Sequence, residues 1–489
     1  MAFRLTSLSF LFLLWTVVCL AAPTPSINGT SSQHISATDS EQLQGWTSQP
    51  NLRGTMDILW SCGFTMFLCS WSTLCLNLPK RGENRFAIFR RKIYLTGLSF
   101  GGPEFIFQIA LGQLSSARSS VHDFHKSNYT QWTLTHAFYA DMGGYVLLTK
   151  DQQSFPIDAK QLHYLVTRKY VKFPKTTEAM IKDKNKVDGL LRIVTICQTI
   201  WFLINTAGRA VQNLAITCGE LTTVAFIICS IGTTVCWVYK PADVQTPETV
   251  MTKATLSQIL EDAGRHISMP YTRTPLDFVS RKEWPWSLYW SNWINVLRCM
   301  GIVFSPQSLP VGRFENTISR ELTGVLNYIF LGMTAIYLGI FICGWNFTFP
   351  THTELMLWRA ATVTLLATLV AYWTVNILAF SLYPAIQRRF ATNRPAGIQS
   401  AARSHCIKET GHGWFRSKAK HVAAWIRNNS LSQDPEMTVP LKAILPIYIV
   451  ALFYCPARIY LFIQDIIQLR SLPASAFVTV DWTQVLPHF

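Results

Sequence analysis

Eight stretches of this chain are apolar over lengths close to the thickness of a hydrocarbon layer, and most of its Lys and Arg residues lie in the segments between them. They run from Met56 to Leu78, Ile93 to Leu114, Trp132 to Leu148, Leu190 to Thr206, Leu214 to Tyr239, Val325 to Trp345, Leu355 to Tyr383 and Ile444 to Ile463. A helix rises 1.5 Å per residue, so about 20 apolar residues cross a bilayer. The pattern predicts an all-α, polytopic integral membrane helical bundle of about eight transmembrane helices. Composition agrees, because only 14% of the 489 residues are charged, against about a quarter in soluble domains. The net charge of +16 would also suit nucleic acid. Yet the cations lie between apolar runs and not in one aromatic-laced patch, so positive-inside topology accounts for them and no nucleic-acid partner is expected.

The ends fix the expected topology. Arg4, the apolar core Leu5 to Leu20 and the small residues Ala21 and Ala22 read as a cleaved signal peptide over 1–22. Residues 23–52 are polar and read as a disordered lumenal segment with the sequon Asn28-Gly-Thr30. Residues 53–239 then hold the N-terminal spans, and 240–324 a cytosolic or interfacial segment that includes the tryptophan-rich run Trp284 to Trp293. A transmembrane hairpin over 325–383, a basic cytosolic loop over 384–443 and a last span with a lumenal tail over 444–489 complete the chain. Basic clusters at Lys80–Lys92 and Lys150–Lys186 belong in the cytosol, so the second span must rise and the third, Trp132 to Leu148, must return. That reading makes Asn128 and Asn346 lumenal glycosylation sites beside Asn28, leaves Asn428 silent, and suits the endoplasmic reticulum membrane.

The chemistry-bearing residues are acids at membrane depth: Glu104 after the break Gly101-Gly102-Pro103, Asp141 before Met142-Gly-Gly144, and Glu220 in Cys218-Gly-Glu-Leu. An acid in hydrocarbon costs several kcal/mol and marks a functional site by default. A broken helix beside it frees backbone groups that need a protein-lined or wet pocket. A carboxylic acid kept neutral in an apolar pocket is a proton donor. The same acids also fit a structural role, paired with an Arg at a helix end; for Glu220 the alternative partner is Arg209. His136 and Asp141, five residues apart, do not share a helical face. The aromatics of the spans suit either a cation-tolerant cavity or an interfacial belt. The twelve cysteines show no Cys-x-x-Cys or Cys/His spacing. No dinucleotide, P-loop, nucleophile-elbow, zincin or Asp-Asp-x-x-Asp motif occurs, so no cofactor and no metal is expected.

Several of these segments resemble a large family of fungal polytopic membrane proteins. They are Trp60-Ser-Cys62, Pro103-Glu104, His136 to Tyr145, Asp183 to Asp188, Gln198-Thr-Ile-Trp201, Glu220-Leu221 and Lys240-Pro-Ala-Asp243. The membrane-bound terpene cyclase of ascofuranone biosynthesis is similar to this family. The resemblance covers Arg53 to Val244 and implies a membrane cyclase acting on a lipophilic, prenylated meroterpenoid-like substrate, alongside other enzymes of a biosynthetic pathway. Glu104 and Glu220 lie in the matching motifs and would be the catalytic acids, with Asp141 beside them. The alternative is a non-enzymatic transporter, receptor or pathway organiser, although no inverted repeat is visible.

Overall fold

The computed structural model describes residues 43–48, 53–185, 189–265, 271–280, 292, 294–301, 307–318, 320, 322, 324–376, 378, 413–429 and 438–482. The expected signal peptide, Asn28 and the Trp284 run apart from Asn292 lie outside the described residues. The chain begins with a short strand β1 (Leu43–Gln44), then helices α1 (Thr55–Thr73), α2 (Arg85–Gly101), α3 (Pro103–Lys126) and α4 (Leu134–Asp141). Strands β2 (Tyr145–Leu148) and β3 (Ser154–Ile157) and helices α5 (Ala159–Thr167) and α6 (Glu178–Asp183) follow. Next come α7 (Gly189–Val211), α8 (Cys218–Cys236), β4 (Glu248–Met251) and α9 (Leu256–Glu261). The last elements are α10 (Val325–Cys343), α11 (His352–Asn376), α12 (Gly413–Arg427), α13 (Leu441–Ile467) and β5 (Leu472–Pro473). The protein is mostly helical, not all-α.

Among the described residues, five helices are long and apolar enough to cross a membrane: Leu190–Val211, Cys218–Cys236, Val325–Asn346, His352–Val375 and Ile444–Arg470. Their centre is α8, in which every residue from Cys218 to Cys229 is buried. Its apolar character runs all the way round, which lets it pack against α1, α3 and α10 at once. Helix α7 is at the rim and leaves Ile193, Ile196, Ile200 and Ile204 exposed.

Two of the eight expected crossings do not cross the bundle. Helix α2 starts where α1 ends, with Phe89 edge-on to Trp71 and Lys92 3.6 Å from Asp243. It rises only to the level of Phe226, against which Phe100 packs, and stops at Gly102. Helix α3 then turns back alongside α8, placing Phe107 against Gly232 and Gln113 under the Trp237 indole, which donates to it at 3.0 Å. The sequence makes this turn possible. Pro103 occupies the first helical position, where a missing N–H costs nothing, and a Cβ on Gly102 would sit 2.5 Å from the Phe105 ring. Ile93 to Leu114 is therefore a helix–turn–helix that enters and leaves by one end.

Trp132 to Leu148 is not a span either. It folds as the short helix α4 followed by β2, the central strand of a three-stranded sheet, antiparallel to β3 and parallel to β4. Its residues are apolar because they form the core of a compact α/β unit: Trp132 stacks on Phe124 at 4.2 Å, and Ala137 to Ala140 are all buried. A continuous apolar run reads alike for a core and for a span.

The two corrections cancel. Lys80 to Lys92, Lys150 and Lys240 still lie at one end of the bundle, with Lys240 Nζ donating to the Cys75 carbonyl at 2.9 Å. Arg209, Glu220 and the C-terminal strand lie at the other. The end of the segment expected to be disordered is ordered here, because Leu43–Gln44 pairs antiparallel with Leu472–Pro473. Asn128 now belongs to the basic end, where its neighbour Ser127 hydrogen-bonds His163 at 2.9 Å, while Asn346 is at the opposite end. If the basic segments are held in the cytosol, Asn128 lies on the cytosolic side and is expected to carry no glycan. Glycosidase digestion should therefore give the same mobility shift for wild type and Asn128→Gln; a shift that disappears in the variant would restore the eight-crossing topology.

Candidate functional site

The three acids go to three different places. Glu220 occupies the third position of α8 and closes a capping box, accepting from the Thr217 N–H at 2.9 Å while Thr217 Oγ accepts from the Glu220 N–H at 3.2 Å. Arg53 reaches its other oxygen at 2.5 Å, and Arg209 lies 3.8 Å away. Arg209 also donates to the carbonyls of Ala215, Ser475, Ala476 and Val478, which ties the C-terminal tail across this end. Glu220 is the anion of a clamp.

Asp141 ends α4 in the α/β unit. One oxygen accepts from Ser116 Oγ at 2.9 Å, and the other accepts from the Ala159 N–H at 3.2 Å and faces Arg320 at 3.2 Å. Arg320 also lies 3.9 Å from Asp158, which caps α5, and donates to Ser116. Burial pushes the Asp141 carboxyl above the usual carboxylate range, against the pull of Arg320. The backbone of Arg320 also packs on Gly112, where a Cβ would meet its carbonyl at 2.7 Å. His136 does not touch Asp141. It hydrogen-bonds the Thr176 carbonyl through Nε2 and Thr133 through Nδ1.

Glu104 opens onto a cavity. The turn at Gly102 starts α3 in mid-bundle, and Glu104, in its first helical turn, is buried there. Tyr454 donates to one carboxylate oxygen, and the other has no hydrogen-bond partner. Beside it lies a cavity of about 190 Å³ between α3, α10, α11 and α13, walled by Phe105, Phe330, Leu338, Tyr372, Val450 and others. Its polar groups are few: Glu104, Gln108, Thr334, Thr368, Tyr372 and Tyr454. The Gln108 amide nitrogen, like the free oxygen of Glu104, is buried without a partner.

Tyr454, Tyr337 and Arg458 around Glu104, and Asp465 beyond Arg458 on α13, are not among the residues expected from sequence. Arg458 and Asp465 were legible as charges inside an apolar run; the contribution of Tyr337 and Tyr454 needs the packing of α10 and α13 on α3. Among the described residues, no group of His, Cys, Asp and Glu could hold a metal ion. The site is thus a buried carboxyl at a helix break, facing a narrow apolar chamber inside a bundle of membrane-length helices. Residues 30–262, which contain all three acids, match a family of unknown function (DUF8562). No curated protein and no solved structure matches the chain.

Substitution should separate the acids. Glu220→Gln leaves Arg53 and Arg209 without their anion, and breaking a buried pair costs about 3–5 kcal/mol; Asp141→Asn removes the nearer of the two carboxylates that face Arg320, leaving only Asp158 at 3.9 Å. Both variants should lower the yield of folded protein, whereas Glu104→Gln should leave it unchanged in size-exclusion and thermal-unfolding assays. Equal losses in all three would remove Glu104 from its special position.

Burial also lowers the pKa of His136 below its ordinary value, and that of His163 in the same unit. A histidine whose folded pKa is depressed contributes stability above its unfolded pKa near 6.5 and loses it as pH falls through the folded value. Protonation would add a hydrogen to Nδ1, which accepts from the Thr133 N–H. Amide-exchange protection of 132–148, corrected for intrinsic rates, should therefore fall between pH 7 and pH 5; constant protection would count against a neutral His136.

Proposed function

We propose that this protein is a membrane-bound cyclase that protonates an epoxide or alkene of a prenylated substrate and guides ring closure, with Glu104 as the proton donor. The observation that carries this reading is the pairing of one buried carboxyl with an apolar, aromatic-walled cavity. In the proposed arrangement α1 joins the five long helices as a sixth crossing, and α2 and α3 form the re-entrant pair. The leader over 1–22 directs the chain to the endoplasmic reticulum, with the basic end cytosolic and the tail lumenal. Glu220 and Asp141 take no part in the chemistry; they hold the two ends of the fold.

A volume of about 190 Å³ is slightly larger than an engineered cavity of about 150 Å³ that binds benzene. It accepts the reactive terminus of a prenyl chain and not the whole substrate. Glu104 gives its proton to the epoxide oxygen as the carbon–oxygen bond breaks. A hydroxyl or alkene of the same molecule supplies the electron pair that closes the ring, and the proton released returns to the Glu104 carboxylate. The product is an isomer of the substrate. Phe105, Phe330 and Tyr372 line the cavity, and aromatic rings stabilise a short-lived cation, while the apolar walls keep out the water that would quench it.

The test is direct. Microsomes containing this protein alone should convert an epoxidised prenyl-aromatic substrate to a cyclised product of the same mass. Glu104→Gln at matched expression should lower the rate by roughly 10²- to 10⁴-fold, the contribution of a positioned general acid. Formation of only the hydrolysed diol across a panel of such epoxides would replace the cyclase with a non-enzymatic carrier or organiser.

A further inference from the structure

Helix α13 carries two charged residues inside its apolar stretch, Arg458 and Asp465, two turns apart on the face that also presents Tyr454. Arg458 is only 3% exposed, and none of its side-chain nitrogens has a hydrogen-bond partner. Its guanidinium lies 4.6 Å from the ring centre of Phe462 and 5.2 Å from those of Tyr337 and Phe341. Arg458 is the cation that acts on both Glu104 and Asp465. Each acid keeps one oxygen without a partner, while Asp465 accepts from Thr222 at 3.0 Å through the other. The other titratable neighbours are Tyr337 and Cys229 beside Glu104 and Cys62 and Cys218 beside Asp465, side-chain types that are ordinarily uncharged at neutral pH. The nearest further acids are already paired, Glu220 with Arg53 and Glu354 with Arg470.

Charge counting then limits the group to one neutral composition. Arginine stays protonated in proteins, and an uncompensated buried charge costs several kcal/mol. One cation and two carboxyls are neutral only when one carboxyl is ionised and the other holds a proton. Depth decides which is which. Asp465 stands beside Thr222, whereas Glu104 stands beside Cys229, seven residues further along α8. Glu104 is thus roughly 10 Å further along the bundle, at 1.5 Å per residue, and about 3 Å from the midpoint of α8 against about 7.5 Å for Asp465, so its ionised form is the more costly. We propose that Asp465 is the standing anion that neutralises Arg458 and thereby leaves Glu104 holding the single proton of the group. Asp465 is a positioning residue: it touches no substrate and acts through Arg458. The inference rests on the cyclase reading only in giving that proton a use.

Infrared spectroscopy of the purified full chain in lipid nanodiscs tests the charge state without substrate. Wild type should show one carbonyl band of a buried protonated carboxyl, sensitive to deuterium and absent in Glu104→Gln. In Asp465→Asn, Arg458 turns to Glu104 and holds it ionised, so the band should vanish although Glu104 is intact, and cyclisation should fall at least roughly 100-fold. The double variant Arg458→Leu/Asp465→Asn removes both charges and should restore the band and the activity. A purely structural role for Asp465 predicts no such rescue. A folded Asp465→Asn protein that keeps the band at full intensity overturns the proposal, as does a folded double variant without it. Bands that behave as expected in a protein giving no cyclised product would sink the cyclase reading and leave the proton assignment standing.

Discussion

The structure depends on a backbone break in the middle of a helical bundle. At Gly101-Gly102-Pro103 the chain reverses without crossing, and the peptide groups freed at such a turn cannot be left in an apolar layer. They are tolerated because α8, α10 and α13 close around them. The Gly102 N–H returns to the Leu98 carbonyl, and the Phe105 N–H to the Gly102 carbonyl. The same break brings the first turn of α3, and with it Glu104, to mid-depth. A continuous helix through this region would have carried the acid past the cavity or out to an end.

Charge is distributed accordingly. At one end Arg53 and Arg209 hold Glu220 and draw the C-terminal tail over the mouth of the bundle. At the other, Arg320 ties Asp141, Asp158 and Ser116 together and couples the α/β unit to the backbone facing Gly112. Both clusters are satisfied by several partners each, as buried ions must be. The mid-bundle group differs. Arg458, Glu104 and Asp465 all keep polar atoms without partners; a buried polar atom left so calls for an explanation, which the proposed role as proton donor supplies for Glu104.

The apolar runs alone determined that the chain is mostly helical and that it carries membrane-length helices, because a stretch such as Cys218 to Cys236 has no other stable way to bury itself. They also located Glu104 beside a break, since Gly-Gly-Pro cannot continue a helix. What they could not determine was how far each run travels. Trp132 to Leu148 is as apolar as a span because it is the core of a sheet unit, and Ile93 to Leu114 is as long as a span but folds back on itself. Periodicity records that a residue is hidden, not whether lipid or protein hides it. Only the tertiary structure decided which acids share a site. Glu220 and Asp141 have the local signature of Glu104, and they part company with it through residues distant in sequence: Arg53, Arg320 and the face of α13 that bears Tyr454, Arg458 and Asp465.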